Sequence, residues 1–198
     1  MKLFYNNRSP YVRKVRVLAL EKNIQLELIK VDLKNKPKEL LAVNPLGQIP
    51  TLVLDNGAAI YDSVVITEYL DSLNERPRFI PASGKERFDV LKLAALGDGI
   101  MDYAIEIVHE NFRPEEKQID ENRKKRIADI SRCLQVLEYE VGFLRGRFSL
   151  AQIAVGCALG YLDFRLPDLE WQEDFMELAD WYDGFSTRPS MKETKASE

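Results

Sequence analysis

Three short stretches in the first third of the chain carry residue types that could hold a small ligand. The first is Ser9-Pro10-Tyr11, where a strand signal gives way to a helical one. A serine cap followed by proline at the first helical position is a common helix start. Amide donors and the positive end of the helix dipole face whatever lies there, and the Ser9 hydroxyl could donate a hydrogen bond to a bound thiolate. Capping alone also explains Ser9. The second stretch is Asn44-Pro45-Leu46-Gly47-Gln48-Ile49-Pro50-Thr51. A cis bond at Pro50 would turn the Ile49 backbone outward, exposing its N–H and C=O to an extended peptide that binds as an added strand. Pro50 is equally an ordinary turn proline, because only about 5% of X-Pro bonds are cis. The third is Tyr61-Asp62-Ser63, at the start of another helix. Ser63 can cap that helix and bind a carboxylate with the exposed amides, while Asp62 could accept from an ammonium group. That suits the α-amino-acid end of a small peptide, and it also suits a plain cap.

The elements that must position these stretches follow from periodicity. Leu3 to Tyr5 is a short apolar run, and Val12, Val15, Arg16, Ala19 and Leu20 recur at helical spacing. Leu26 to Val31 reads as a second strand and Lys38 to Ala42 as a short helix. Thr51 to Leu54 and Ala58 to Tyr61 flank Asp55-Asn56-Gly57, a hairpin with turn residues tolerant of positive φ. Ser63 opens an amphipathic helix. The order β-α-β-α-β-β-α implies a parallel pair with a right-handed crossover and a mixed, helix-covered sheet. Asn74 to Gly84 holds Pro77, Pro81 and Gly84 and reads as a linker. Beyond it, helical patterns run from Lys85 to about Phe112, Glu115 to about Phe143, Leu150 to Arg165 and Glu173 to about Phe185. Ser149 and Gln152 fit a capping box before an almost unbroken apolar run, which suggests a central buried helix. The division expected is 1–76 for the α/β half, 77–84 for the linker and 85–198 for an all-helical half.

Composition narrows the function. The 198 residues are 45% hydrophobic and 30% charged, within the usual globular range. The net charge of −4 argues against nucleic acid, and the basic stretch Arg123 to Arg126 reads as a solvated helix face. Cys133 and Cys157 lie in helical patterns without C-x-x-C spacing and read as two buried thiols. With His109 the only histidine, no multi-histidine metal site is expected. The strand-like start and the lack of a membrane-length apolar run point to a cytoplasmic protein without a membrane partner.

Taken in order, SPYVRKVRVLALEKNI (Ser9 to Ile24), NPLGQIPTL (Asn44 to Leu52), IYDSVVITEYL (Ile60 to Leu70) and SLAQIAVGCALGYLDFR (Ser149 to Arg165) resemble the cytosolic glutathione transferase superfamily. The resemblance spans essentially the whole chain and is nearest to small bacterial members with serine at the active position. It implies a thioredoxin-like first domain and a helical-bundle second domain. It implies that Ser9 hydrogen-bonds the glutathione sulfur. Ile49, before a cis Pro50, would pair its backbone with the cysteinyl part. Asp62 and Ser63 would hold the γ-glutamyl group. Gln48 would touch the glycyl end, with Lys34 or Lys36 as partners for its carboxylate. Tyr5 is a competing candidate for the active hydroxyl, but Ser-Pro-aromatic at a helix start favours Ser9. Gln152 stands where the family usually has Asp.

The implied activity is conjugation of glutathione, as co-substrate, to a small hydrophobic electrophile, a detoxifying reaction carried out by a homodimer without a metal. A free thiol of pKa about 8.5 is roughly 3% thiolate at pH 7, and lowering it by two units requires about 2.7 kcal/mol. A hydroxyl donor to an ionised partner contributes about 1.5–3 kcal/mol and a helix N-terminus about 0.3–1. Ser9 and its helix therefore suffice. Serine, unlike cysteine, cannot form a mixed disulfide, which argues against glutaredoxin-type exchange. The second substrate is expected at Tyr11 and along the helix carrying Asp102, Ile105 and His109, with Asp98 or Asp102 also able to reach across a dimer. Other readings are a non-catalytic glutathione-binding or regulatory protein, and a glutathione-dependent isomerase, dehalogenase or peroxidase.

Overall fold

A computed structural model describes residues 1–73 and 76–197, so Asn74 and Glu75, the start of the expected linker, lie outside the described residues. The chain divides into two compact units, Met1–Pro81 with Pro189–Glu198, and Ala82–Arg188.

The first unit is the α/β half. Its strands are β1 (Lys2–Tyr5), β2 (Glu27–Lys30), β3 (Thr51–Val53) and β4 (Ala59–Ile60), and its helices are α1 (Pro10–Glu21), α2 (Lys38–Val43) and α3 (Ser63–Ser72). The sheet order is β2-β1-β3-β4. β1 and β2 are parallel, with Leu3 opposite Leu28, as the intervening helix requires. β3 runs antiparallel to β1 and β4 antiparallel to β3. Leu3 and Leu52 face each other fully buried, and the apolar positions of α1 (Val12, Val15, Leu18) and α3 (Ile66, Leu70) are buried with them. At about 1.5–3 kcal/mol for each fully buried aliphatic side chain, this cluster dominates the unit's stability.

Two features of this unit were not visible in the sequence. Lys22, at the end of α1, is fully buried and forms an ion pair with Asp71 of α3 at 3.0 Å. Its ammonium also donates to the carbonyls of Asp71 (3.0 Å) and Pro77 (2.8 Å), while the Asp71 carboxylate accepts the amides of Phe79 and Ile80, both at 2.9 Å. Residues 77–80, expected to be linker, are thereby pinned to the unit. Second, residues 85–198 were expected to form one helical half, yet the chain returns at Pro189. A short helix (Pro189–Glu193) packs on α1, burying Ser190 and Met191. Buried Arg13 donates to the Met191 carbonyl at 3.1 Å, and the Ser190 hydroxyl donates to Glu21. The return depends on polar contacts made across more than 160 positions of sequence, which no local pattern reveals.

The second unit is all helical: α4 (Gly84–Asn111), α5 (Asp120–Tyr139), α6 (Val141–Leu144), α7 (Leu150–Arg165), α8 (Trp171–Asp174) and α9 (Met176–Ser186). The expected helix from Glu115 divides into a 3₁₀ turn (Glu115–Lys117), α5 and α6, and the one from Glu173 divides at Phe175. α7 is buried from Leu150 through Leu162, as its apolar run indicated. α4 lies against it at Gly97, where a Cβ would come 2.8 Å from the Ala154 backbone. The capping box is present: the Ala151 amide donates to Ser149 Oγ at 3.3 Å, and the Ser149 amide to Gln152 Oε1 at 2.9 Å. Gln152 Nε2 further donates to the carbonyls of Leu144 and Arg147, at 3.2 and 2.9 Å, so the box also anchors the turn before α7. Of the two cysteines, Cys157 is buried but Cys133 is only half-buried, because α5 presents it at the edge of a groove.

Candidate functional site

Strand directions bring the three stretches together. Ser9 follows the C-terminal end of β1. β3 is antiparallel to β1, with Thr51 opposite Phe4, so Ile49 and Pro50 enter the sheet at that same end. β4 is antiparallel to β3, with Ile60 opposite Leu52, so Tyr61-Asp62-Ser63 leaves the sheet there as well. One end of the sheet therefore carries all three turns, and the N-termini of α1 and α3 both start from it.

Ser9 caps α1 with extended backbone, and its Oγ accepts the Val12 amide at 3.3 Å. The hydroxyl proton is not used by that bond, because a serine oxygen offers one donor besides two acceptor sites. Ser9 is half-buried beside buried Pro10. Tyr5 lies half-buried on β1 with the Arg16 guanidinium 5.5 Å from its ring centre.

The Asn44–Thr51 loop is held from within by Asn44. Asn44 is 1% exposed. Its Nδ2 donates to the Gln48 carbonyl (3.1 Å) and to Thr51 Oγ1 (2.8 Å), and its Oδ1 accepts the Leu46 amide (3.0 Å). Thr51 Oγ1 donates to the Gln48 carbonyl at 2.8 Å. The signal that could have found it is an asparagine opening a Pro-and-Gly loop, where its amide can replace missing backbone partners. Gly47 has φ +58°, and a Cβ there would meet Leu41 Cδ2 at 2.9 Å and the Lys36 side chain at 3.2 Å. The Ile49–Pro50 bond is cis. Ile49 is buried and Gln48 exposed. Lys36 lies over this loop, whereas the Lys34 backbone amide donates to Asp32 at 2.9 Å.

At α3 the cap is Asp62, not Ser63: Asp62 Oδ1 accepts the Val64 amide at 3.0 Å. Asp and Ser are equally good caps, and the chain places Ser63 one position inside the helix. Ser63 is buried and its carbonyl accepts from Thr67 Oγ1 at 2.9 Å, while Asp62 is exposed. First-turn amides that a helix's own ladder does not use, with an acidic cap beside them, suit an α-amino-carboxylate.

Tyr11 lies on α1 in the first unit; Asp102, Ile105 and His109 lie on α4 in the second. Asp102 and His109 are exposed and Ile105 half-buried. His109 lines a cavity between the end of α4 and the start of α5, which Asp102 and Ile105 do not line. Arg123, Lys125 and Arg126 line it too; Lys124 and Lys125 are exposed and Arg123 half-buried, while Arg126 pairs with Glu106 and Asp129. Among the described residues no group of three or more His, Cys, Asp or Glu is placed to hold a metal, and no helix is long and apolar enough to cross a membrane.

Residues 8–73 match the description "Glutathione S-transferase, N-terminal domain", and residues 116–184 match "Glutathione S-transferase, C-terminal domain". The chain belongs to the glutathione S-transferase family. This transferase-family chain is 37% identical to the GST-like protein YibF of Escherichia coli (strain K12), over 98% of each sequence. It is 44% identical to a glutathione transferase family member of Pseudomonas fluorescens Pf-5 solved with bound glutathione, with a TM-score of 0.93 over 100% of this chain and 99% of that one. It is 39% identical to a glutathione S-transferase of Methylobacillus flagellatus KT, also with glutathione bound, with a TM-score of 0.94 over 99% of both chains. The thioredoxin-like first domain and helical second domain are those of the family.

Proposed function

We propose that this transferase binds glutathione at the sheet end formed by Ser9, Gln48, Ile49, Pro50, Asp62 and Ser63, and joins its sulfur to a small hydrophobic electrophile. The observation that carries the reading is the convergence of three turns at one end of the sheet, with two helix N-termini starting there. The ligand bound in the structures of two relatives of about 40% identity supports the choice of glutathione.

In this reading the Ile49 backbone pairs with the cysteinyl part of the peptide as an added strand. The γ-glutamyl carboxylate takes the first-turn amides of α3 with Ser63, and its ammonium faces Asp62. Lys36 and Gln48 meet the glycyl carboxylate. The Ser9 hydroxyl donates to the sulfur while its oxygen keeps the Val12 amide, so cap and activator are one group. The thiolate then attacks the electrophilic carbon: a C–S bond forms, and the leaving group departs with its electron pair. Tyr11, on the same helix that Ser9 caps, is the residue proposed to meet the second substrate. A homodimer completes the proposal. The half-exposed Val64 and Val65 on α3 are apolar surface for such contact.

The test is titration calorimetry of glutathione on wild type and Ser9→Ala, with the ultraviolet absorbance of bound thiolate at pH 7. Micromolar-to-millimolar binding by both, with thiolate signal only in the wild type, supports the assignment of Ser9. Binding without turnover of any electrophile would favour a non-catalytic carrier. Absence of binding would remove the site.

A further inference from the structure

We infer a second binding site, within the helical unit, for a small organic anion bearing carboxylate or phosphate groups. It is the cavity of about 480 Å³ between the end of α4 and the start of α5. That volume lies within the roughly 300–1,000 Å³ of small-molecule sites.

Its lining charges do not balance. Arg113, Arg123, Lys125 and Arg126 face two carboxylates, Glu106 and Glu110. Each carboxylate is already matched. Glu110 pairs with Arg113 at 3.1 Å and accepts the Ile119 amide at 2.8 Å. Glu106 pairs with Arg126, which also reaches Asp129 at 3.0 Å. Arg123 and Lys125 make no side-chain hydrogen bond or ion pair among the described residues. Two cations therefore remain unmatched around one concavity of a chain whose net charge is −4. A guanidinium fork suits carboxylate or phosphate oxygens in a way that solvent-exposed lysines alone do not.

The surroundings select the size of the ligand. Glu115, Glu116, Asp120 and Glu121 occupy the chain immediately before Asn122, which lines the cavity. Those acids disfavour an extended polyanion such as nucleic acid or an anionic membrane, which would run past the cavity onto them, more than a short anion that touches the cavity alone. The inference does not rest on the glutathione reading, whose binding residues from Ser9 to Ser63 belong to the first unit.

The probes are citrate and inorganic pyrophosphate, titrated calorimetrically at low ionic strength into wild type and Arg123→Gln/Lys125→Gln. Neither residue is buried, so the double variant is expected to fold, and its circular dichroism checks this. The expected result is saturable millimolar or tighter binding of at least one probe, weakened at least tenfold in the double variant, with glutathione affinity unchanged. The probe that binds assigns the carboxylate or the phosphate class. Lack of saturation by both probes, equal binding by the double variant, or competition with glutathione would each overturn the inference.

Discussion

Replacing Lys22 by Met tests whether the buried ion pair is what ties the segment after α3 to the first unit. The Lys22 ammonium satisfies three oxygens, Asp71 Oδ1, the Asp71 carbonyl and the Pro77 carbonyl, at 2.8–3.0 Å. Lys22→Met removes all three donors and leaves a carboxylate 3% exposed without its counter-charge. Breaking one side of a buried pair costs about 3–5 kcal/mol, a large share of the roughly 5–15 kcal/mol that holds a domain together. Asp71→Leu should cost a similar amount, since the amides of Phe79 and Ile80 lose their acceptors. In the double variant the isolated charge is gone, so its cost should fall about 1–3 kcal/mol short of the sum. It should not return to wild type, because two amides and two carbonyls remain unpartnered. The assay is urea unfolding followed by circular dichroism, with hydrogen exchange at Leu3 and Leu52. Tryptophan fluorescence would mislead, as Trp171 and Trp181 both lie in the helical unit. A loss below about 1 kcal/mol in Lys22→Met, or a double variant as stable as wild type, would refute the reasoning.

Asn44→Ala should loosen the Asn44–Thr51 loop by removing three side-chain hydrogen bonds, lowering stability by about 1–3 kcal/mol in urea melts and glutathione affinity by about tenfold in calorimetry. Gln152→Ala should cost about 1–3 kcal/mol by thermal unfolding, because the cap of α7 and the carbonyls of Leu144 and Arg147 lose their partners together. The Asp129 carboxyl is held below the usual carboxylate range by hydrogen bonds from Arg126 and then Arg132. Its stabilisation is therefore present above the ordinary carboxylate pKa and lost as pH falls through the lowered one, and an acid titration of Asp129→Asn should lack that component. Burial pushes the Cys133 thiol up, so the native thiol stays protonated where the unfolded one ionises. Stability should decline as pH rises past the ordinary thiol pKa, and a disulfide reagent at that pH should modify Cys133 more slowly in the native protein than in urea.

The strand and helix order of the first unit was legible because its signals are local: the turn at Asp55-Asn56-Gly57, the proline after Ser9 and the apolar spacing of α1 and α3. α7 was legible because an unbroken apolar run has no other use in a helical unit. What escaped was long-range and polar. Lys22 and Asp71 look like surface charges until α1 and α3 are side by side. Asn44 looks like a loop asparagine until Gln48 and Thr51 fold over it. Asp62 and Ser63 are adjacent residues of equal capping strength, so local chemistry could not choose between them. Arg126 reads as one more solvated charge until α4 brings Glu106 beside it.

The return of the chain at Pro189 has a consequence for synthesis. The first unit is discontinuous, and the residues that cover α1 follow roughly a hundred others. A ribosome adding about 5–20 residues per second delivers them some five to twenty seconds after Pro81. During that interval α1 lacks the helix that packs on it, and Arg13 lacks the Met191 carbonyl. The emerging sheet and its three turns can form early, but the back of the helix that carries Ser9 is covered only after the whole helical unit has been made.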